Sequence, residues 1–176
     1  MSLGASVLRY MLFAAIAGIV TLFLGIPIPR RIFRWDRFPF KCYPFEKDGS
    51  IYTKLYVHKW KDLAPDASKV ISQMAKKRIQ KNVDANALER LIQETCVAEM
   101  VHWILIALTP VYCIGIPACT GIGLSVLYAL GNLVFIVIQR YNRPRFSKAL
   151  HLMKMRETKM KGKREKEHES RFSCSK

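Results

Sequence analysis

The chain has 176 residues, of which 51% are hydrophobic, yet its formal net charge is +16. A length of this order predicts one domain. The apolar and the charged residues occupy separate stretches, which argues against a small soluble enzyme and favours a membrane protein with basic flanks.

The first predicted element is an apolar segment near the N-terminus. Residues 10–29 carry no charged side chain, and about 20 helical residues at about 1.5 Å rise each match a hydrocarbon core of roughly 30 Å. We therefore predict a transmembrane helix over about 8–29. The alternative is a secretory signal peptide, but the basic cluster follows the apolar run, and no small-x-small cleavage site precedes Arg30.

Residues 30–97 are predicted to form a cytoplasmic interfacial segment. Its start, RRIFRWDRFPFKCYPF, alternates aromatic residues with bases, which suits the headgroup level of a bilayer. A solvated juxtamembrane linker would have the same composition. Ser50 is a plausible N-cap of a short amphipathic helix that ends near Asp62, and 67–80 is a second, basic helix candidate.

The apolar run over 100–138 is about twice as long as one membrane span. Prolines and glycines near its middle are typical of a hairpin turn. We predict two spans, over about 98–116 and 120–138, and the first of them continues a helix that begins near residue 86.

Basic residues follow the first and the third predicted spans, beginning at Arg30 and Arg140. By the positive-inside rule both flanks are cytoplasmic, so the N-terminus lies outside and the C-terminus inside a bacterial-type cell membrane that the chain crosses several times. Residues 1–150 form a single membrane domain. Residues 151–176 lose apolar periodicity and are predicted to be a disordered basic cytoplasmic tail, for which anionic lipid is a nearer partner than nucleic acid.

The cysteine and histidine pattern gives little sign of a metal site. The five cysteines form no metal-type pair and no regular framework. His58 and His151 are distant in sequence from His102, and a metal would need three or four ligands. We expect no permanently bound cofactor and no metal.

Two ionisable residues, Glu99 and His102, lie near the start of the second predicted span. Such residues are costly in lipid and indicate a functional site. They share one side of a helix, with Glu94 nearby. A carboxylate-oriented imidazole can act as general base toward a hydroxyl. The alternative is structural: His102 bonds a neighbouring helix and Glu99 pairs with Arg140.

An antiparallel hairpin would bring the end of the third span to this pair. The basic residues expected near it suit phosphates at the membrane surface, although positive-inside anchoring explains part of them. They are Lys59, Lys61, Arg140, Arg143 and Arg145. Asn132, alone among apolar neighbours, either hydrogen bonds between helices or contacts substrate.

Three motifs then identify a resemblance. FEKDGSIYTKLYVHKWKD over 45–62, ETCVAEMVHW over 94–103 and IQRYNRPR over 138–145 resemble the glycosyl-4,4'-diaponeurosporenoate acyltransferases. The resemblance covers most of residues 1–150, and the tail is longer than the family pattern requires. It implies transfer of a fatty acyl group to a sugar hydroxyl of a carotenoid glucoside. The matching positions are Lys59, Trp60, Lys61, Glu94, Glu99, His102, Trp103, Gln139, Arg140, Asn142, Arg143 and Arg145.

Together these observations predict an all-α, polytopic membrane acyltransferase with about three transmembrane helices and short interfacial amphipathic helices. His102, oriented by Glu99 or Glu94, would deprotonate the acceptor hydroxyl, which attacks the thioester of an acyl donor, with acyl-CoA as the expected co-substrate. The basic group would hold the donor's phosphates, and Gln139 or Asn142 would donate to the oxyanion.

The expected partners are membrane lipid, a glycolipid acceptor and the acyl donor, with no nucleic acid. Two other functions stay open from the sequence. One is a non-catalytic membrane scaffold or lipid-binding subunit, and the other is an enzyme acting on an isoprenoid phosphate. The absence of an Asp-rich metal motif disfavours the second.

Overall fold

The computed structural model of the protein describes residues 2–61 and 85–173. Within these two stretches there is no strand, so the all-α prediction is confirmed. Two 3-10 helices occupy the loop between the first and second α-helices, over Arg30–Ile32 and Pro44–Gly49. The α-helices are α1 (Leu3–Gly25), α2 (Ser50–Lys54), α3 (Val57–Trp60), α4 (Ala85–Ala107), α5 (Thr109–Tyr112) and α6 (Ala118–Ser173).

Two of the described helices are long and apolar enough to cross a membrane: α1, and α6 over Ala118–Glu165. They coincide with the predicted spans over about 8–29 and 120–138. The predicted second span over 98–116 is divided, because α4 ends at Ala107 and α5 follows as a separate short helix. Pro110 lies in the first turn of α5, where its missing N–H is tolerated, whereas inside a continuous helix it would remove a hydrogen bond. Three spans are therefore not confirmed.

Helices α4 and α6 form the centre of the fold. They pack along their length, and buried Leu88 and Ile92 of α4 contact Leu150 of α6. Helix α1 packs at the other end of the pair, where Tyr10 meets Tyr112 edge to face with ring centroids 5.5 Å apart. The chain between α1 and α2 lies against α4, because Phe33 is buried on Cys96 and Val97.

The amphipathic helix predicted from Ser50 to about Asp62 is two short helices, α2 and α3. Tyr56 separates them because its φ of 52° is left-handed and cannot continue an α-helix. Tyr52 and Val57 are buried against Ile138 of α6, whereas Leu55 and Tyr56 are 56% and 59% exposed. The basic helix predicted over 67–80 lies outside the described residues.

The prediction of a disordered tail is wrong for residues 151–173, because α6 continues through them to Ser173. The reason is local propensity: the segment is rich in Lys, Arg, Glu and Met, which favour helix. Its first turns are also held by tertiary contacts, since Met153 packs against the Leu88–Leu150 cluster and Lys154 Nζ lies 3.5 Å from a Glu89 carboxylate oxygen.

A glycine fixes the entry into α2. Gly49 has a φ of +87°, and a Cβ there would lie 2.9 Å from Pro144 Cγ on α6. We expect Gly49→Ala to lower the free energy of unfolding by about 1–3 kcal/mol, through left-handed strain and the clash with Pro144. Thermal unfolding followed by circular dichroism measures this. Gly162→Ala is the control, because a Cβ there meets nothing within 4 Å. Equal melting temperatures for the two variants would contradict the prediction.

Candidate functional site

Four charged side chains from three parts of the chain form one buried ion network: Glu46, Glu99, Arg140 and Arg143. Glu99 stands between the arginines, with Oε1 2.8 Å from Arg140 Nε and Oε2 2.5 Å from Arg143 Nη2. Arg140 Nη1 lies 2.6 Å from Glu46 Oε1. The side chains of both glutamates are only 2% exposed, so the network is sequestered from water.

The helix spacing explains how the network forms. Arg140 and Arg143 are three residues apart on α6 and therefore share one face, which points at α4. Both arginines also fasten the loop between α1 and α2, because Arg140 Nη2 donates to the Pro39 carbonyl at 3.0 Å and Arg143 Nη1 to the Phe40 carbonyl at 2.8 Å. Arg143 Nε donates to Thr95 Oγ1 on α4 at 3.0 Å. The network thus joins α4, α6 and the loop.

Glu46 is held by three kinds of donor. Besides Arg140, its carboxylate accepts a hydrogen bond from the Tyr52 hydroxyl and one of 2.6 Å from the Tyr43 backbone N–H. Burial alone would raise the pKa of Glu46, but these hydrogen bonds and the Arg140 charge bring that pKa below its usual value. Burial and the adjacent carboxylate raise the pKa of Tyr52. Glu46 is therefore a carboxylate and Tyr52 a neutral phenol at neutral pH.

The charges of the network cancel, because two carboxylates face two guanidinium groups. The structural alternative for Glu99 and Arg140, an ion pair between helices, is what the structure contains. Arg140 and Arg143 were also predicted to hold phosphates, and in the structure their charges are balanced within the protein.

His102 is oriented by Asn132, where the sequence predicted a glutamate. His102 Nδ1 lies 2.9 Å from Asn132 Oδ1, and the Asn132 amide nitrogen donates to the Tyr128 carbonyl at 2.9 Å. An amide fixed in this way presents its oxygen to Nδ1, which donates to it in the tautomer that carries the proton on Nδ1. The ring also stacks on Phe135 with centroids 4.9 Å apart. Asn132 thus makes the helix–helix hydrogen bond that was one of its two predicted roles.

Glu94 lies away from this pair, since its Oε1 accepts a 2.8 Å hydrogen bond from Arg30 Nε. Lys59, Lys61 and Arg145 form a separate basic group around α3. Lys61 Nζ lies 5.5 Å and the Arg145 guanidinium carbon 4.7 Å from the centroid of the Tyr141 ring, and Lys59 Nζ lies 4.9 Å from that of Tyr56.

The other predicted substrate-binding residues lie in different surroundings. Trp60 donates through Nε1 to the Leu55 carbonyl at 3.0 Å and packs on the Tyr52–Ile138 cluster. Gln139, which precedes Arg140 on α6, is buried, and Asn142 on the same helix is half-buried. Trp103 is half exposed on α4.

Two cavities meet at the ion network. The apolar cavity, about 960 Å³, is lined along α4 by Glu99, Met100, Trp103, Ile104 and Ala107, with Tyr52 and Ile136 among the residues facing them. The polar cavity, about 440 Å³, is lined by Trp35, Cys42, Asp48, Arg143, Pro144, Ser147 and Lys148. Phe40, Glu46 and Arg140 line both. Among the described residues His102 borders neither of these two cavities.

Sequence reasoning overlooked Glu46 and Tyr52. Both belong to the motif over 45–62, but their short spacing has no helical or strand periodicity that would indicate burial. Within residues 2–61 and 85–173, no group of three or more His, Cys, Asp or Glu side chains is placed to hold a metal ion.

Comparison with known proteins gives a consistent result. The sequence profile described as glycosyl-4,4'-diaponeurosporenoate acyltransferase matches residues 29–152. Two relatives that carry the same name, from Staphylococcus aureus strains MRSA252 and N315, are 35% and 33% identical over 135 residues. Each alignment covers 76% of this chain and 81% of the relative. No solved structure matches the chain.

Neutralising Glu99 should destabilise the protein strongly. In Glu99→Gln the guanidinium groups of Arg140 and Arg143 lose their shared carboxylate while still buried, and breaking a buried pair in this way costs about 3–5 kcal/mol. Unfolding in detergent by heat or denaturant measures the loss. Glu89→Gln is the matched control on the same helix, because Glu89 is 37% exposed and its pairing with Lys154 contributes at most about 1 kcal/mol. Comparable losses in both variants would argue against the network as the central constraint.

The lowered pKa of Glu46 gives stability a defined pH dependence. Because its pKa in the folded protein lies below the unfolded value of about 4.3, the contribution is fully present above that value and is lost as pH falls through the folded pKa. We expect a constant melting temperature from about pH 7 to about pH 5 and a decline below it, with a shallower decline in Glu46→Gln. A Glu46→Gln profile parallel to that of the unmodified protein would refute the assignment.

Proposed function

The chain belongs to the glycosyl-4,4'-diaponeurosporenoate acyltransferase family, and from that premise we propose that it transfers a fatty acyl group to a sugar hydroxyl of a carotenoid glucoside or a similar membrane glycolipid. The family makes the protein an acyltransferase. We propose acyl-CoA as the donor and co-substrate.

The observation that carries this proposal is the junction of the two cavities at the ion network. The apolar cavity suits a lipid chain, and the polar cavity contains Asp48, Ser147 and Lys148, which suit a hydrated group. Transfer of an acyl group from a water-soluble donor to a membrane-dissolved acceptor needs a site that both substrates can reach. Glu46 and Arg140, which line both cavities, stand where the two substrates would meet.

We also propose that the protein works in the cell membrane, with its N-terminus outside and its C-terminus in the cytoplasm. Only 18% of the most apolar window of α1 and 22% of that of α6 is buried within the protein, so most of their apolar side chains need another apolar environment. The divided second span would lie beside them, with the basic residues that begin at Arg30 and Arg140 on the cytoplasmic side.

In the proposed reaction the acceptor hydroxyl gives its proton to His102 Nε2, and its oxygen bonds to the carbonyl carbon of the thioester. The carbon–sulfur bond breaks, and the leaving thiolate takes the proton back from the imidazolium. His102 adjoins Trp103, which lines the apolar cavity, so the hydroxyl would have to approach between α4 and α6. Gln139 or Asn142 would donate to the oxyanion, and Lys59, Lys61 and Arg145, which line neither cavity, would bind the donor's phosphates outside the polar cavity.

One observation favours a second candidate, a lipid-binding or scaffold subunit without catalytic activity. The charges of the ion network are balanced and its residues join three parts of the chain, as a purely structural cluster would. This alternative predicts that substitutions near the network change folding or assembly and leave turnover per folded molecule unaffected.

Replacing His102, the proposed general base, distinguishes an acyltransferase from a non-catalytic subunit. We expect His102→Gln to lower acyl transfer at least about a hundredfold, because glutamine cannot accept the hydroxyl proton. Lipids extracted from cells with and without the protein, analysed by mass spectrometry, should contain a glycolipid heavier by one fatty acyl unit only when the protein is active.

The matched control is His151→Gln, because His151 is exposed on α6, and both variants should be recovered from the membrane in equal amounts. Full accumulation of the heavier glycolipid in His102→Gln would remove His102 from the mechanism. Absence of that glycolipid in cells with the unmodified protein would remove the proposed acceptor class.

A further inference from the structure

We propose that the apolar cavity is the binding site for the hydrocarbon chain of the acceptor, and that the acceptor's sugar lies at its polar end, beside Glu46, Tyr52 and Arg140. This inference rests on the proposed function and assigns its two substrates to the two cavities. The donor enters by the polar cavity, so that donor and acceptor approach the ion network from opposite sides.

The apolar cavity is polar at one end only. Along α4 its lining runs from Glu99, through Trp103, to Ala107, which at about 1.5 Å per residue spans roughly 12 Å of helix. The charged groups Glu46, Glu99 and Arg140 are concentrated at the Glu99 end, whereas Ile104 and Ala107 are apolar. This gradient matches an amphiphile with one hydroxylated head and one long chain.

The rim of the cavity faces the proposed bilayer. Trp103 and Ile104 on α4 are 49% and 38% exposed, and Ile32 and Phe45 on the opposite side are 67% and 65% exposed. Apolar side chains exposed to this extent around an opening indicate entry from a hydrocarbon phase. A chain already dissolved in the membrane therefore reaches the cavity by lateral movement, without passing through water.

The polar end suits a sugar better than a phosphate. Glu46 and Glu99 balance Arg140 and Arg143, so this end carries no surplus positive charge for an anion. Its polar groups are the guanidinium of Arg140, 11% exposed, and the carboxylate of Glu46, 2% exposed and already bonded within the protein, beside the aromatic rings of Tyr43 and Tyr52. A neutral polyol uses both kinds of group.

The polar cavity suits the donor on the same grounds. Lys148 on its lining is exposed and forms no ion pair in the described part of the chain, so its ammonium group can bind a phosphate of an anionic carrier, with Asp48 on the same lining offsetting part of that attraction. Glu46 and Arg140 line this cavity as well, so a thioester there lies across the ion network from a sugar in the apolar cavity. The donor and the acceptor then enter through different cavities.

The test narrows the apolar cavity at its far end. Ala107→Phe places a ring in the cavity from an exposed position on α4, and Ala15→Phe adds the same ring to an exposed position on α1 that borders neither cavity. The protein in lipid nanodiscs is assayed with methyl, octyl and dodecyl glucoside as acceptors and with acyl-CoA donors of several chain lengths. Thermal unfolding of both variants verifies that they fold, and Ile104→Trp serves as a second narrowing variant.

We expect Ala107→Phe to lower kcat/KM for dodecyl glucoside roughly tenfold, to leave that for methyl glucoside within about twofold, and to preserve the order of preference among donor chain lengths. Ala15→Phe should alter none of these. A shift in donor chain-length preference would assign the cavity to the acyl chain and overturn the inference, as would equal behaviour of Ala107→Phe and Ala15→Phe.

Binding of dodecyl glucoside to the same preparations is also measured by calorimetry. This measurement tests the cavity assignment without requiring acyl transfer, so the two hypotheses can fail independently. If the unmodified protein transfers no acyl group to any glucoside, the proposed function fails. Binding that is weakened by Ala107→Phe and unaffected by Ala15→Phe would still support the cavity assignment, whereas unchanged binding in Ala107→Phe would overturn it.

Discussion

The carboxylate of Glu99 between two guanidinium groups is the interaction on which the rest of this structure depends. Burying an arginine is costly unless a carboxylate and further hydrogen bonds compensate it, and here Glu99 compensates Arg140 and Arg143 together. Because both arginines lie on α6 and the carboxylate on α4, this requirement aligns the two helices along their axes. Apolar packing alone would tolerate several such alignments, since it is not directional.

The same network lies between the two cavities. Through the Pro39 and Phe40 carbonyls it holds the loop after α1 across the helix pair, and through Glu46 it holds the start of α2. The loop covers the network, with an apolar cavity on one side and a polar cavity on the other. A group that separates two compartments while lining both is well placed to let a lipid and a hydrated molecule meet.

The confirmed predictions rest on interactions between residues that are close in sequence, and the wrong ones on contacts between distant residues. Apolar runs are local, so the segments over 8–29 and 120–138 followed from the sequence. The second span is divided where Pro110 begins α5, and the break at Tyr56 depends on one left-handed φ, which neighbouring packing selects. The tail was assigned to disorder on its charge, although its helix-forming residues and its contacts with α4 favour a helix.

The all-helical class, the apolar segments, the family and the two helix ends that meet are readable from the chain alone, because each follows from composition, period or motif. The partners of the polar groups are not readable in this way. Glu46 and Arg140 are 94 residues apart, and Asn132 and His102 are 30 apart, so their pairing depends on an irregular loop and on the alignment of two helices. No local pattern encodes that alignment; the need to compensate buried charge selects it.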